Sequence, residues 1–183
     1  GVFLMTQPEL DWFYGGGAGR FFPALWARFV DAIPEEERGD LIGAYHRRLF
    51  SGNFTDEAKF SRLWADWENA LATVETRAYF ETPVDYARAF ARLENHYFTN
   101  NCFFERDGQL MQDLGRIKDV RGTIVQGQFD MICPPTTAWN LHRKWAGSTF
   151  RLVPMAGHAL SEPGITAELV LVMDGLRDQQ FLR

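Results

Sequence analysis

Cysteine, histidine and serine are scarce in this chain of 183 residues, and each scarcity closes off a chemistry. Two cysteines, Cys102 and Cys133, are too few for a disulfide framework or a cysteine-rich zinc site, and they read as free thiols in a reducing, cytoplasmic compartment. The four histidines include no close-spaced ligand pair. A zinc site from Cys133, His142 and His158 therefore lacks support, and no metal or cofactor is expected. No apolar run approaches the roughly 20 residues that span a bilayer. Basic residues are in deficit, 19 Lys+Arg against 24 Asp+Glu for a net charge of −5. That balance argues against nucleic acid, since phosphate binding needs a basic face. The N-terminal end has no basic stretch followed by a long apolar one. It opens on Val2-Phe3-Leu4-Met5, which reads as a strand, and a chain that begins inside a strand is expected to be a piece of something longer.

What the chain has in excess is rings: 16 Phe, 6 Trp and 5 Tyr make it 15% aromatic. With 46% hydrophobic and 23% charged residues it otherwise has the composition of a globular protein able to bury a core. Two textures divide it. After a strand segment over 1–7, residues 8–118 read as helical, with short polar breaks. Pro23 is placed to open a helix over 24–33, and Pro34 with Glu35-Glu36-Glu37 to open another that runs through Tyr45 and Leu49 and stops at Gly52. Thr55 is the expected N-cap of a helix bearing Leu63, Trp64, Trp67 and Leu71, and Pro83 starts one with Tyr86, Phe90, Leu93, Tyr97 and Phe98. A short helix is expected over 109–117.

Residues 119–183 have the second texture. A strand over 123–126, a helix over 137–145, a strand over 150–153 and a helix over 165–181 form a parallel α/β unit. Its two strand ends then share the edge where open α/β sheets place their ligands. Asp130 follows the first strand and His158 the second, so the two loops can join them. An Asp holding a His is the acid–base half of a nucleophilic triad; against it stands a turn Asp beside an ordinary loop His. His46, beside Arg47-Arg48, and His142 read as surface residues.

Glu68 and Glu94 carry the second signal. Trp64 and Leu71 lie four before and three after Glu68, and Phe90, Tyr97 and Phe98 flank Glu94 at helical spacing. Each carboxylate projects among rings, where an uncompensated charge is costly and a bound cation would relieve both. The alternatives are rim-exposed glutamates, or buried ones matched by Arg62 or Arg92. Asn95 and His96 read as helix-surface or capping groups.

An acid and a base need something to activate. None of Ser51, Ser61, Ser148 and Ser161 lies in a Gly-x-Ser-x-Gly elbow, and Gly15–Gly19 has that spacing but Gly17 at the nucleophile's place.

The stretches Glu9-Leu10-Asp11-Trp12-Phe13-Tyr14, Gly19-Arg20-Phe21-Phe22-Pro23, Trp64-Ala65-Asp66-Trp67-Glu68, Glu94-Asn95-His96-Tyr97-Phe98, Ile124-Val125-Gln126-Gly127-Gln128-Phe129-Asp130 and Gly157-His158 resemble, in order, the C-terminal part of the proline iminopeptidases. These are α/β-hydrolase-fold serine peptidases that remove an N-terminal proline, with a helical cap over a Ser-Asp-His site and no metal. The resemblance implies that Asp130 is the triad acid and His158 the general base. It implies further that Glu68 and Glu94 bind the substrate's charged imino group, that Phe98 packs on the pyrrolidine ring, and that Cys133 lines the pocket. Gln128-Phe129 stands where the family commonly has Arg-Tyr. The nucleophile elbow and oxyanion hole are expected upstream of residue 1, so this chain alone is expected to be inactive. The resulting fold expectation is an α/β-hydrolase fragment: a core strand (1–7), a helical cap (8–118) and the last two strand–helix units (119–183). Its exposed sheet edge invites self-association or pairing. Another α/β-hydrolase (esterase, epoxide hydrolase or dehalogenase type) and a non-catalytic binding module on a degenerate hydrolase are the competing readings.

Overall fold

A computed structural model describes residues 1–75 and 82–181, the side chains of 179–181 excepted. Among these residues the chain forms two compact units, one from 5–70 and 82–107, the other from 1–4, 71–75 and 108–181.

The first unit is helical. Helices α1 (Gln7–Tyr14), α2 (Pro23–Asp31), α3 (Leu41–Leu49), α4 (Phe54–Leu71) and α5 (Val84–Thr99) supply it, with 3₁₀ turns at Ala18–Arg20, Glu35–Glu37 and Asn101–Phe103. On α4, Phe60, Trp64, Trp67 and Leu71 recur at the spacing of one helix face, and all four are buried. The rings of Phe60, Trp64 and Trp67 meet Phe13, Tyr14, Phe29 and Tyr45 in a continuous aromatic core. Phe29 and Tyr45 stack with centroids 4.3 Å apart, and Tyr14 stacks on Trp64 at 4.6 Å. The Tyr45 hydroxyl, fully buried, donates to the Phe29 carbonyl at 2.8 Å, and burial pushes its pKa upward. These rings are core, whereas others, among them Phe21, Phe54 and Phe103, are exposed. On α5, Ala87, Ala91 and Asn95 lie four apart and are wholly buried, small enough to bring its backbone close to α3.

Local chemistry redraws two boundaries. The helix expected to run from Pro34 to Gly52 is a 3₁₀ turn at Glu35–Glu37 followed by α3, because the Asp40 carboxylate accepts from the Gly43 N–H at 2.9 Å and starts a new helix there. The cap of α4 is Asn53, not Thr55: its Oδ1 accepts from the N–H groups of Thr55 and Asp56 at 3.0 and 3.4 Å.

The second unit holds the α/β part. Strand β1 (Gly122–Gly127) pairs in parallel with β2 (Ser148–Val153), in register from Gly122 opposite Ser148 to Gly127 opposite Val153. A short helix α6 (Gln109–Gln112) and a 3₁₀ turn (Asp113–Ile117) precede β1, so 108–118 cluster with the strands rather than with the helical unit. Helix α7 (Pro135–Lys144) makes the crossover and α8 (Pro163–Phe181) follows β2. Val153, Ala156 and Ile165 are the buried centre, packed by Val125 and Leu169. Residues 1–6 carry no strand: a strand exists only where a neighbour completes its ladder, and the sheet of the described residues is β1 and β2 alone.

Candidate active site

Because β1 and β2 are parallel and in register, their C-terminal ends lie side by side, and the loops leaving them bring Asp130 and His158 together. His158 Nδ1 lies 3.0 Å from Asp130 Oδ2 and 3.1 Å from Oδ1. An ionised carboxylate only accepts, so Nδ1 carries the proton and donates, leaving Nε2 as the basic nitrogen. Asp130 is 2% exposed. Its Oδ1 also accepts from the backbone N–H groups of Ile132 and Cys133, at 3.1 and 2.8 Å. Its Oδ2 receives the Gln126 amide at 3.3 Å. Burial alone would raise this carboxyl's pKa. The hydrogen bond and charge of His158 and the Cys133 N–H outweigh burial and hold it below the ordinary aspartate range.

The two loops press close. A Cβ on Gly127 would lie 2.0 Å from the Gly157 carbonyl oxygen, so only glycine permits this approach. His158 keeps a third of its side chain exposed and borders an open cavity of about 520 Å³, lined by Val125, Leu160, Ile165 and Leu169. Cys133 is buried beside the acid, its N–H bound to Asp130.

The helical unit holds the second constellation. Glu68, on α4, is buried, and the Tyr14 hydroxyl donates to its Oε1. Glu94, on α5, is half-buried and accepts from the Trp64 indole N–H at 2.8 Å. Burial raises the Glu68 pKa well above the usual carboxylate range; the charge of Glu94 and its hydrogen bond to Glu68 add to the rise, and only Tyr14 opposes it. Phe98 packs into the same rings, 5.6 Å from Tyr14 and 6.2 Å from Trp64 between centroids. The arginines considered as matches are engaged elsewhere: Arg62 donates to the Thr82 carbonyl, and Arg92 pairs with Glu57. Two carboxylates thus face each other among rings, and one of them is disfavoured as an anion.

Asn95 is not a surface residue. It is wholly buried, donates to the Ile42 carbonyl at 2.9 Å and meets His46 Nδ1 at 2.7 Å, so His46 is partly buried rather than solvated. His142 Nδ1 lies 2.7 Å from Ser148 Oγ, and no group of three metal-ligating side chains exists among the described residues. Sequence reasoning missed Tyr14 and Gln126 as partners of the two sites. For Gln126 a signal was available: it shares the inward face of β1 with Ile124, a polar residue at a core position. For Tyr14 there was none beyond its place in a matched stretch.

The second unit is thus a partial α/β fold in which the loops after two parallel strands join a histidine to a buried aspartate. No protein-family model matches the chain. It is 42% identical to a proline iminopeptidase of Xanthomonas citri over 178 residues, 96% of this chain and 57% of that protein. It is 40% identical over 181 residues to one of Arabidopsis thaliana, covering 97% of this chain and 48% of that protein, and 35% identical over 178 residues to one of Neisseria gonorrhoeae. Along nearly its whole length the chain is thus a relative of the proline iminopeptidases, and it spans about half the length of the relatives it matches.

Proposed function

We propose that the chain is the C-terminal portion of an α/β-hydrolase-fold serine exopeptidase that releases N-terminal proline from peptides. The reading is carried by Glu68: a buried carboxylate, set against Glu94 among aromatic rings, whose charge a cation would compensate. A protonated prolyl amine has two N–H donors and an apolar ring, so Glu68 and Glu94 would accept its hydrogen bonds while Phe98 packs on the pyrrolidine. An internal proline has no such amine, which restricts the enzyme to chain ends.

In the whole protein a serine outside this chain attacks the prolyl carbonyl. His158 Nε2 takes the serine proton and passes it to the leaving amine, and Asp130 keeps Nδ1 protonated and stabilises the imidazolium. Cys133 lines the pocket beside the acid. The two free cysteines support a reducing, cytoplasmic setting, and no helix of the described residues is long and apolar enough to cross a membrane. The edges of the two-stranded sheet support association with a second copy or with the rest of the protein.

The test extends the coding sequence upstream and compares a prolyl anilide with a simple ester. Preference for the anilide is expected, and Glu94→Gln should raise KM by roughly 10–100-fold, the worth of a hydrogen bond to a charged group. Unchanged specificity in that variant sinks the assignment of the pair, and ester preference points to another α/β-hydrolase. An upstream sequence with no Gly-x-Ser-x-Gly turns the reading toward a binding module. A serine-directed phosphonate should leave the 183-residue chain unlabelled.

A further inference from the structure

The loop carrying His158 is fastened at four consecutive residues, Ala156 to Ala159. The Ala156 carbonyl accepts from the Phe129 N–H at 2.9 Å, tying it to the Asp130 loop. The N–H groups of His158 and Ala159 both donate to the Ala72 carbonyl, at 2.9 and 2.8 Å. Between them, the Gly157 N–H donates to Oε1 of Glu162 at 3.2 Å, and the same oxygen accepts from the Val74 N–H at 2.7 Å. Glu162 is buried, 9% exposed, so these bonds are sheltered from water. One carboxylate oxygen joins the segment 72–74 to the peptide that precedes the histidine.

The loop needs such fastening. Met155, two residues before Gly157, has φ +52°, a left-handed conformation that a side chain disfavours. A Cβ on Gly157 would lie 3.0 Å from the Ala72 oxygen and 3.1 Å from Glu162 Oε1, so the carboxylate seats closely because the residue is glycine. The three backbone bonds around Gly157 hold only while Ala72 and Phe129 keep their places, and Glu162 is the side chain that locks the first of these segments to the loop.

We propose that Glu162 is a positioning residue for His158: its carboxylate pins the Gly157 peptide to Val74 and thereby aims the imidazole Nδ1 at Asp130. Its catalytic meaning rests on His158 being the base, but the geometry is measurable without turnover. The experiment is NMR of the 183-residue chain, following the low-field Nδ1–H resonance of His158 and amide exchange at Gly157 and Val74. Glu162→Gln keeps an acceptor oxygen and should leave the resonance visible, with exchange within about threefold of the parent. Glu162→Ala should lose the resonance to solvent exchange and speed exchange at both amides by roughly tenfold or more, the value of a charge-assisted hydrogen bond, while the β1 amides change less than about threefold. If Glu162→Ala does not fold, Glu162→Asp, one methylene too short to reach both amides, is expected to show the same losses. A folded Ala or Asp variant with the resonance intact and Gly157 exchange unchanged overturns the proposal. That failure leaves the peptidase reading standing, whereas intact fastening in a full-length protein inactive on prolyl anilides removes the reading and not the clamp.

Discussion

The Tyr14 hydroxyl donates to Oε1 of Glu68, joining the end of α1 to the last turn of α4 across 54 positions of sequence. This bond favours the charged form of Glu68, against burial and against Glu94. Tyr14→Phe keeps the ring on Trp64 and deletes the donor. Glu68 should then titrate still higher, followed by the carbon-13 shift of its side-chain carboxyl, and the fold should lose about 1 kcal/mol. A Glu68 titration that does not move rules out the hydroxyl as its stabiliser.

Glu68 also makes stability depend on pH. Its folded-state pKa lies above its unfolded value, so the favourable contribution is fully present below about 4.3, the unfolded glutamate value, and is lost as pH rises through the raised value. Glu68→Gln has no charge to bury, and its amide oxygen can still accept from Tyr14. Above the raised pKa the variant should be more stable than the parent, by on the order of 1 kcal/mol for each pKa unit of the shift, and the gain should vanish at pH 4. Urea denaturation across this range measures it. Under the proposed function, the same variant in a full-length protein should lose prolyl peptidase activity while gaining stability.

Asp130 has the opposite sign. Its pKa is lowered in the folded state, so its contribution is present above about 3.9, the unfolded aspartate value, and is lost as pH falls through the depressed one. Asp130→Asn should destabilise the chain by about 1–3 kcal/mol at neutral pH, since an amide cannot accept from Ile132, Cys133, Gln126 and His158 together. The gap between parent and variant should close in acid. A pH-independent gap would mean that the loss is steric.

Asn95 tests the packing of α5 against α3. Asn95→Leu leaves the Ile42 carbonyl and His46 Nδ1 without their partner in a buried site, and should cost about 1–3 kcal/mol despite the added apolar surface. Thermal unfolding of the variant reads this directly.

Gly127→Ala sets a methyl group against the backbone oxygens of Gly157 and Ala156. Because backbone cannot swing aside as a side-chain tip does, the two loops must part, and Nδ1 of His158 should move away from Asp130 with a loss of several kcal/mol. The His158 Nδ1–H resonance is the readout. A variant that keeps both stability and resonance shows that the loops have room to spare.

Periodicity and capping act within a few residues, and this is why β1, α7, β2 and α8 were legible. Alternating and 3.6-residue patterns with a proline or glycine at each end carry their own boundaries, and two parallel strands of similar length imply that Asp130 and His158 share an edge. The same locality explains the errors. Val2–Met5 has strand composition, but a strand needs a neighbour. The helix expected from Pro34 was divided by the Asp40 carboxylate, a hydrogen bond that composition does not display. Asn95 looked like a surface residue because its partners, Ile42 and His46, lie on another helix.

From its sequence alone this protein is a ring-rich, acidic chain of helical and α/β parts, carrying an acid, a base and two glutamates among aromatics, because all of these follow from residue type and near-neighbour spacing. Only the tertiary structure decided which of those groups are buried and what each one touches. Glu68 is costly as an anion because burial and the facing Glu94 outweigh the Tyr14 hydroxyl, groups brought together from three helices, and His158 is aimed because Glu162 and Ala72 fasten its backbone. Burial and hydrogen-bond partnership depend on residues distant in sequence, and these set the free energies that separate a functional carboxylate or imidazole from an ordinary one.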